Sequence, residues 1–374
     1  MSGKKKELSV LFAGGGTAGH LLPALAIESA LRGRLAAIPG SELTTYFLAT
    51  SNGAERRILE ERGAAYRIVP KTDFPRTVGI RALTFIPRLL VAVSRTLPLA
   101  RRANVIVGFG GYVALPAYIA ASILRKPLVI HEANAVPGLA NRLGRFLATH
   151  TLTNFPIPKW RDSRAVGLPI RDEIWRIGVM NKDERALAQS SARKHLHLEV
   201  NRKTLLVFGG SLGAAKLNSA LADALDELLR RGFQVLHGTG PEKGNQLQHK
   251  RPAYHPVAYI SEMDQAYLAA DVVIARSGAG TCAEISATGI PALLVPLAIG
   301  NGEQIKNAAQ LLERGNVQLI ENEKLTAARL VDAVVDLSER EIISHHENRS
   351  AAEVVAEIII KSSIKSGENR GEII

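Results

Sequence analysis

The chain has 374 residues, 46% of them hydrophobic, 22% charged and 32 of them glycine, which suits two cores of ordinary domain size better than one. Its one cysteine, Cys282, excludes an internal disulfide and a cysteine-built zinc site, and suits a reducing cytoplasm. A net charge of +12 fits nucleic acid, an anionic membrane surface or a polyphosphate substrate, and composition does not choose among them.

Near the start, Lys4, Lys5 and Lys6 precede an apolar run as in a secretory signal, but Glu7 intervenes and the run is too short for a signal's apolar core. It reads as a strand. Residues 8–13 then break at Gly14, Gly15, Gly16, Thr17, Ala18, Gly19 and His20, and an amphipathic segment follows. A strand that ends in glycines and continues as a helix offers free backbone N–H groups and the positive end of a helix dipole to an anion. The same device recurs where residues 205–208 run into Gly209, Gly210, Ser211, Leu212, Gly213 and Ala214.

Short β-rich runs alternate with helical patterns along the whole chain, which predicts parallel sheets. In the first half the runs are 8–13, 45–49, 66–69, 105–108, 128–130 and 149–153; in the second they are 204–208, 234–238, 257–260, 272–274, 292–295 and 317–320. The uncharged stretch 103–124 is long enough to span a membrane, yet Gly108, Gly110, Gly111 and Pro116 interrupt it, so it reads as strand, glycine turn and helix. Polar, proline-containing sequence over 154–169 marks a linker, and 362–374 reads as a polar, frayed tail. The expected organisation is α/β: a Rossmann-like domain over 1–165, a second over 166–361, each a doubly wound parallel sheet, and the tail.

A further glycine site, Arg276, Ser277, Gly278, Ala279, Gly280 and Thr281, follows the run 272–274 and opens a helical segment that contains Glu284. Its amides suit a diphosphate, and Glu284, one turn into the helix, suits a ribose diol. The plainer alternative is that such turns only reverse the chain.

In their order along the chain these motifs resemble the MurG family, peptidoglycan N-acetylglucosaminyltransferases of the GT-B fold. The resemblance rests on Gly15-Gly16-Thr17-Ala18-Gly19-His20 with Pro23, Gly108-Phe109-Gly110-Gly111-Tyr112-Val113 with Pro116, His131-Glu132-Ala133-Asn134, and the glycine turn from Gly209 to Ala214. Arg276-Ser277-Gly278-Ala279 and Gln304 with Asn307-Ala308 complete it. Several motifs in one order over roughly 8–338 are far more specific than a lone glycine fingerprint.

The resemblance implies two domains facing a central cleft, UDP-N-acetylglucosamine as donor, and lipid I, undecaprenyl-diphosphoryl-N-acetylmuramoyl-pentapeptide, as acceptor, with lipid II as product. It implies a peripheral enzyme on the cytoplasmic face of the bacterial membrane, acting among cell-wall synthesis or division proteins and not on nucleic acid. The inverting transfer calls for a base, and His20 at the end of the first glycine turn is the candidate; its alternative is a residue that positions the loop or a phosphate. Donor contacts carry over to Thr17, Ala18, Gly19, Asn134, Arg171, Ser211, Ile260, Ala279, Gly280, Thr281, Cys282, Ala283, Glu284 and Gln304. Gly110, Gly111, Tyr112 and Glu132 carry over as acceptor-binding or loop-orienting, and Arg276 is either a site cation or a structural one. Ala18, Ala133, Leu212 and Glu303 depart from the residues usual in the family.

No D-x-D motif and no close His/Asp/Glu spacing occur, so neither a metal nor another cofactor is expected. The stretch 74–95 mixes apolar residues with Arg76, Arg81, Arg88 and Arg95 and contains no acidic residue, a composition suited to an anionic membrane surface. An amphipathic helix packed on the sheet, bounded by Pro75 and Pro87, is the alternative. A sugar-nucleotide epimerase would share the fold. A dinucleotide-dependent dehydrogenase is weaker, because Thr50-Ser51-Asn52 stands where an acidic residue should meet the ribose, and a non-enzymatic nucleotide-binding protein is the third competitor.

Overall fold

The computed structural model describes residues 6–15, 18–51, 54–72, 80–210, 215–240, 251–297, 302–343 and 349–368. The first half runs β1 (Lys6–Ala13), α1 (Ala18–Ala36), β2 (Ser41–Ala49), α2 (Ala54–Glu61), β3 (Tyr66–Ile68), α3 (Ile80–Arg102), β4 (Val105–Gly108), α4 (Ala114–Leu124), β5 (Leu128–Glu132), α5 (Leu139–Gly144), β6 (His150–Thr153) and β7 (Ser163–Ala165). The second runs α6 (Asp172–Val179), α7 (Lys182–His195), β8 (Lys203–Phe208), α8 (Ala215–Arg230), β9 (Phe233–Gly238), β10 (Tyr254–Val257), α9 (Met263–Ala269), β11 (Val272–Ala275), α10 (Ala279–Thr288), β12 (Ala292–Leu294), α11 (Glu303–Leu312), β13 (Val317–Leu319) and α12 (Ala327–Leu337). Helix α13 (Ala351–Glu368) follows.

The strands form a seven-stranded sheet ordered β3-β2-β1-β4-β5-β6-β7 and a six-stranded sheet ordered β10-β9-β8-β11-β12-β13. Every pairing is parallel. Both sheets are doubly wound. Strand order reverses between β1 and β4 in one and between β8 and β11 in the other, and α/β ligands lodge beyond the carboxyl ends of strands at such a reversal.

Alternation along β1 shows how sequence sets the layers. Leu8, Val10 and Phe12 join one buried cluster with Leu21, Leu25 and Leu31 of α1, while Leu11 and Ala13 join another with Ala114, Ala117 and Tyr118 of α4. In the second half, α8 and α12 cover one face of the sheet, where Leu217, Leu221 and Leu228 meet Leu330, Val334 and Leu337.

The chain divides into one compact unit from Met1 to Arg171 together with Arg349–Ile374, and another from Asp172 to Asn348. Helix α13, counted with the second half on sequence grounds, therefore belongs with the first. It packs on α1, and its Val355, Ala356 and Ile359 are buried in the core around β1. Its start is written locally: Ser350 Oγ accepts from the Glu353 amide at 3.2 Å, and the Glu353 carboxylate accepts from the Ser350 amide at 3.0 Å.

Four other expectations need correction. The tail reading fails over 362–368, since α13 continues to Glu368 and buries Ser362 and Ser363, whose hydroxyls bond back to the Ile358 and Ile360 carbonyls; residues 369–374 lie outside the described ones. The linker holds a short strand, β7, which is polar because it is a sheet edge. The run at 257–260 is displaced to β10, an edge strand that tolerates Pro256 because a proline without an N–H costs little where no further strand pairs. Helix α3 does not stop at Pro87 but runs through it and Pro98; both prolines are solvent-exposed, so water reaches the carbonyls they leave unbonded.

Candidate active site

In the first unit the loops after β1 and β4 meet at the strand-order reversal. A Cβ at Gly111 would stand 2.7 Å from the Gly15 carbonyl oxygen and 3.4 Å from the His20 ring, and one at Gly14 would stand 2.8 Å from the His20 carbonyl. Only glycine permits this approach. Gly110 and Gly111 also take φ of +80° and +78°, which L side chains rarely adopt. The imidazole of His20 lies half-buried in this junction and hydrogen-bonds the backbone of Gly15. Burial lowers its pKa, and the Glu55 carboxylate and the Gly15 bond pull it partly back.

Glu55 is a residue that sequence reasoning missed. It is fully buried in the first turn of α2, and one carboxylate oxygen accepts from the Thr50 amide at 3.0 Å and the Thr50 hydroxyl at 2.8 Å. The signal was present in Thr50-Ser51-Asn52: the loop after β2 was read for an acid at the strand end, while the acid sits five residues past Thr50 on the helix.

Glu132 ends β5 and is 3% exposed. Its Oε1 accepts from the Asn134 amide at 2.9 Å; its Oε2 accepts from the Gly138 amide at 3.0 Å and from Asn141 Nδ2 at 2.9 Å. Burial raises the pKa of this carboxyl and the N–H donors partly offset it. The geometry is that of a loop-orienting residue. Asn134 is half-buried on the loop so formed, and Ala133, buried, gives its carbonyl to Asn154 Nδ2 at 3.0 Å. Tyr112 is exposed in the β4–α4 loop, with Lys71 Nζ 4.6 Å from its ring centre and the Thr72 hydroxyl bonded to its carbonyl.

In the second unit a candidate site forms at the end of β11 and the start of α10. The helix is capped by Gly278, which has no side chain to bond the first-turn amides of Ala279, Gly280 and Thr281. Among the described residues, a Cβ at Gly278 or Gly280 would meet no atom within 4 Å, so the approach to those amides is open. Such a helix start attracts an anion. Glu284 stands on the next turn, its carboxylate held by the Tyr267 hydroxyl at 2.9 Å. Asn307 of α11 reaches the Ser277 carbonyl at 3.5 Å, and Gln304 Oε1 accepts from the Leu297 amide at 2.9 Å, so α11 borders the same turn. Ile260, buried, lies against Gly238 at the carboxyl end of β9, where a Cβ would come within 3.2 Å of it.

The structure thus gathers His20, Gly110, Gly111, Tyr112, Glu132 and Asn134 in one unit, and Ile260, Ala279 to Glu284 and Gln304 in the other. Arg171 is the last residue of the first unit. Cys282 does not present a side chain: its sulfur is buried with the thiol pushed up to about 12, and its amide already donates to the Gly278 carbonyl at 2.9 Å. Arg276 is buried, and its Nη1 donates to the Val295 carbonyl at 3.1 Å and to Asn322 Oδ1 at 2.8 Å, contacts of the kind a structural cation makes. Thr17, Ser211 and Leu212 lie outside the described residues, as does the side chain of Ala18; Gly19 and Glu303 open α1 and α11.

A parallel sheet wound outward from its centre, present twice, with a half-buried histidine near a buried carboxylate at one reversal and an open helix start at the other, defines the two-domain α/β class of nucleotide-sugar enzymes. Within that class the chain belongs to glycosyltransferase family 28: residues 10–153 match its N-terminal domain and residues 204–361 its C-terminal domain. It is 42% identical over 346 residues, 90% of each chain, to the UDP-N-acetylglucosamine--N-acetylmuramyl-(pentapeptide) pyrophosphoryl-undecaprenol N-acetylglucosamine transferase of Corynebacterium efficiens. It is similar to the crystal structure of Acinetobacter baumannii MurG, with a TM-score of 0.69 and 26% identity over 95% of this chain and 99% of that one. A Listeria monocytogenes structure assigned as a UDP-N-acetylglucosamine 2-epimerase, at TM-score 0.61 and 14% identity over 98% and 97% of the two chains, shares the fold alone.

Proposed function

We propose that this glycosyltransferase moves N-acetylglucosamine from UDP-N-acetylglucosamine to the 4-hydroxyl of the muramoyl sugar of lipid I, giving lipid II, with inversion at the transferred carbon. The observation that carries the reading is the 42% identity to the Corynebacterium efficiens transferase, which spans both units. His20 takes the proton of the attacking hydroxyl, and its lowered pKa keeps the imidazole neutral and able to do so near neutral pH. The negative charge that grows on departing UDP is met by the α10 amides and the helix dipole, with Glu284 on the ribose hydroxyls, Ile260 against the base and Gln304 on the sugar. The first unit is the acceptor and membrane side and the second the donor side. Radiolabelled UDP-N-acetylglucosamine incubated with lipid I, against a donor-only control, should yield labelled lipid; label that is only hydrolysed or epimerised overturns the assignment.

Lipid I leaves a bilayer only at high cost, so the enzyme works at the membrane. No helix among the described residues is long and apolar enough to cross one. Helix α3 supports a peripheral contact: Ile86, Leu90 and Val91 are exposed alongside Arg88 and Arg95, while Ala92, Val93, Thr96, Leu99 and Ala100 are buried. The segment 73–79 that leads into it lies outside the described residues. Co-sedimentation with anionic and neutral vesicles tests this: Arg81→Glu with Arg88→Glu should cut binding to anionic vesicles and spare donor binding, and unchanged sedimentation rejects the contact.

A further inference from the structure

Tyr118 lies on α4, fully buried, with its ring wedged between two backbones. A Cβ at Gly108 would come within 2.1 Å of that ring and one at Gly144 within 2.2 Å, so both glycines exist to admit it. Packing explains the ring and leaves the hydroxyl unexplained, since burying a phenolic oxygen costs free energy unless it is bonded. The hydroxyl is bonded twice. It donates to Asn141 Oδ1 at 2.6 Å and accepts from the Gly110 amide at 3.2 Å.

Asn141 is itself fixed from its other end. Its Nδ2 donates to the Glu132 carboxylate at 2.9 Å and to the His131 carbonyl at 3.2 Å, which settles the amide orientation and leaves Oδ1 to face Tyr118. A continuous chain therefore runs from the buried Glu132 carboxylate at the end of β5, through Asn141 and Tyr118, to the first residue of the left-handed pair Gly110 and Gly111. At Gly111 of that pair an added Cβ would stand 2.7 Å from the Gly15 carbonyl oxygen and 3.4 Å from the His20 ring, so the turn lies close beside both. No other side chain among the described bonds holds the Gly110 amide.

From this we infer that the Tyr118 hydroxyl is a positioning element for the transfer: it fixes the Gly110–Gly111 turn against His20, and through Asn141 it couples the β4–α4 loop to the loop organised by Glu132. The inference rests on His20 being the base. A turn free to shift by even an ångström would let the imidazole leave the line of the attacking hydroxyl, a misplacement worth one to two orders of magnitude in rate. Tyr118 touches no substrate in this role.

The test is Tyr118→Phe, which keeps the ring and removes only the hydroxyl, made in the wild-type chain and in His20→Ala and read by steady-state transfer of radiolabel over a range of donor concentrations. The expected result is a kcat roughly tenfold lower in the wild-type background, with KM for UDP-N-acetylglucosamine unchanged, and no further loss in His20→Ala, because the two residues act as a unit. An equal loss in both backgrounds, or none in either, overturns the positioning role while leaving the base in place. Normal turnover by His20→Ala alone overturns the base assignment, whatever Tyr118 does. Amide exchange supplies a reading independent of turnover: faster exchange confined to Gly110 and Gly111 is expected. Unchanged protection, or a loss spread along α4, overturns the contact.

Discussion

Removing the Glu132 carboxylate tests whether it orients its loop or acts on substrate. In Glu132→Ala the backbone amides of Asn134 and Gly138 and the side-chain amides of Asn141 and Asn134 lose their acceptor at once, and the half-buried Asn134 side chain can turn to water. A buried donor left unmet costs about 1–3 kcal/mol, and Gly138 is exposed enough for its amide to find water, so the total is about 4 kcal/mol. For a unit of this size that lowers Tm by roughly 8–16 °C. Glu132→Gln keeps one oxygen for Gly138 and Asn141 and turns its amide toward the Asn134 N–H. It also relieves the burial of charge that raises the carboxyl's pKa. Its cost is about 1–2 kcal/mol, or roughly 4 °C. Differential scanning calorimetry on both variants checks the ratio, and transfer assays at a temperature where both are folded check the role. An orienting residue predicts that Gln retains most of the turnover. Equal destabilisation by Ala and Gln, or a fully stable Gln variant without turnover, would refute the reasoning.

His20→Ala should lower kcat by about two to four orders of magnitude while UDP-N-acetylglucosamine affinity holds, measured by turnover and calorimetry, because a base acts only in the transition state. In the wild type, the midpoint of the loss of kcat on acidification should lie below pH 6.5, since burial lowers the pKa of the His20 imidazole. Glu284→Ala should weaken UDP binding roughly tenfold or more in calorimetry, as each charge-assisted bond to a ribose hydroxyl contributes about 1.5–3 kcal/mol; unaltered affinity would make Glu284 structural. His131, fully buried, has its pKa held down to about 4. A lowered folded value means stability that is full above the unfolded value of 6.5 and lost as pH falls through about 4, so the first unit should be about 2 kcal/mol less stable at pH 5 than at pH 7. His131→Asn should flatten that dependence in thermal scans, and an equal slope in the variant would assign the loss to other groups.

The alternation of apolar runs with helical segments was enough to read two parallel-sheet units, because a strand buried on both faces and a helix packed on one leave different periods in the chain. The glycine turns were legible for a related reason: a strand that stops at Gly14 or Gly108 and resumes as a helix has one local geometry wherever it occurs. The place of Glu284 one turn into its helix suggested the ribose diol, and resemblance then supplied the reaction in which His20 is the candidate base. Residues whose role depends on a partner far along the chain were not legible. Glu55 is an ordinary first-turn acid until β2 and α2 bring it beside His20, and Tyr118 is an apolar-face aromatic until Asn141, 23 residues on, meets its hydroxyl. The polar strand β7, the prolines inside α3 and the return of α13 to the first sheet escaped for the same cause. Local sequence fixes backbone preference, whereas edge position, solvent access and the choice of sheet to pack on are settled only when distant segments compete for the same buried surface.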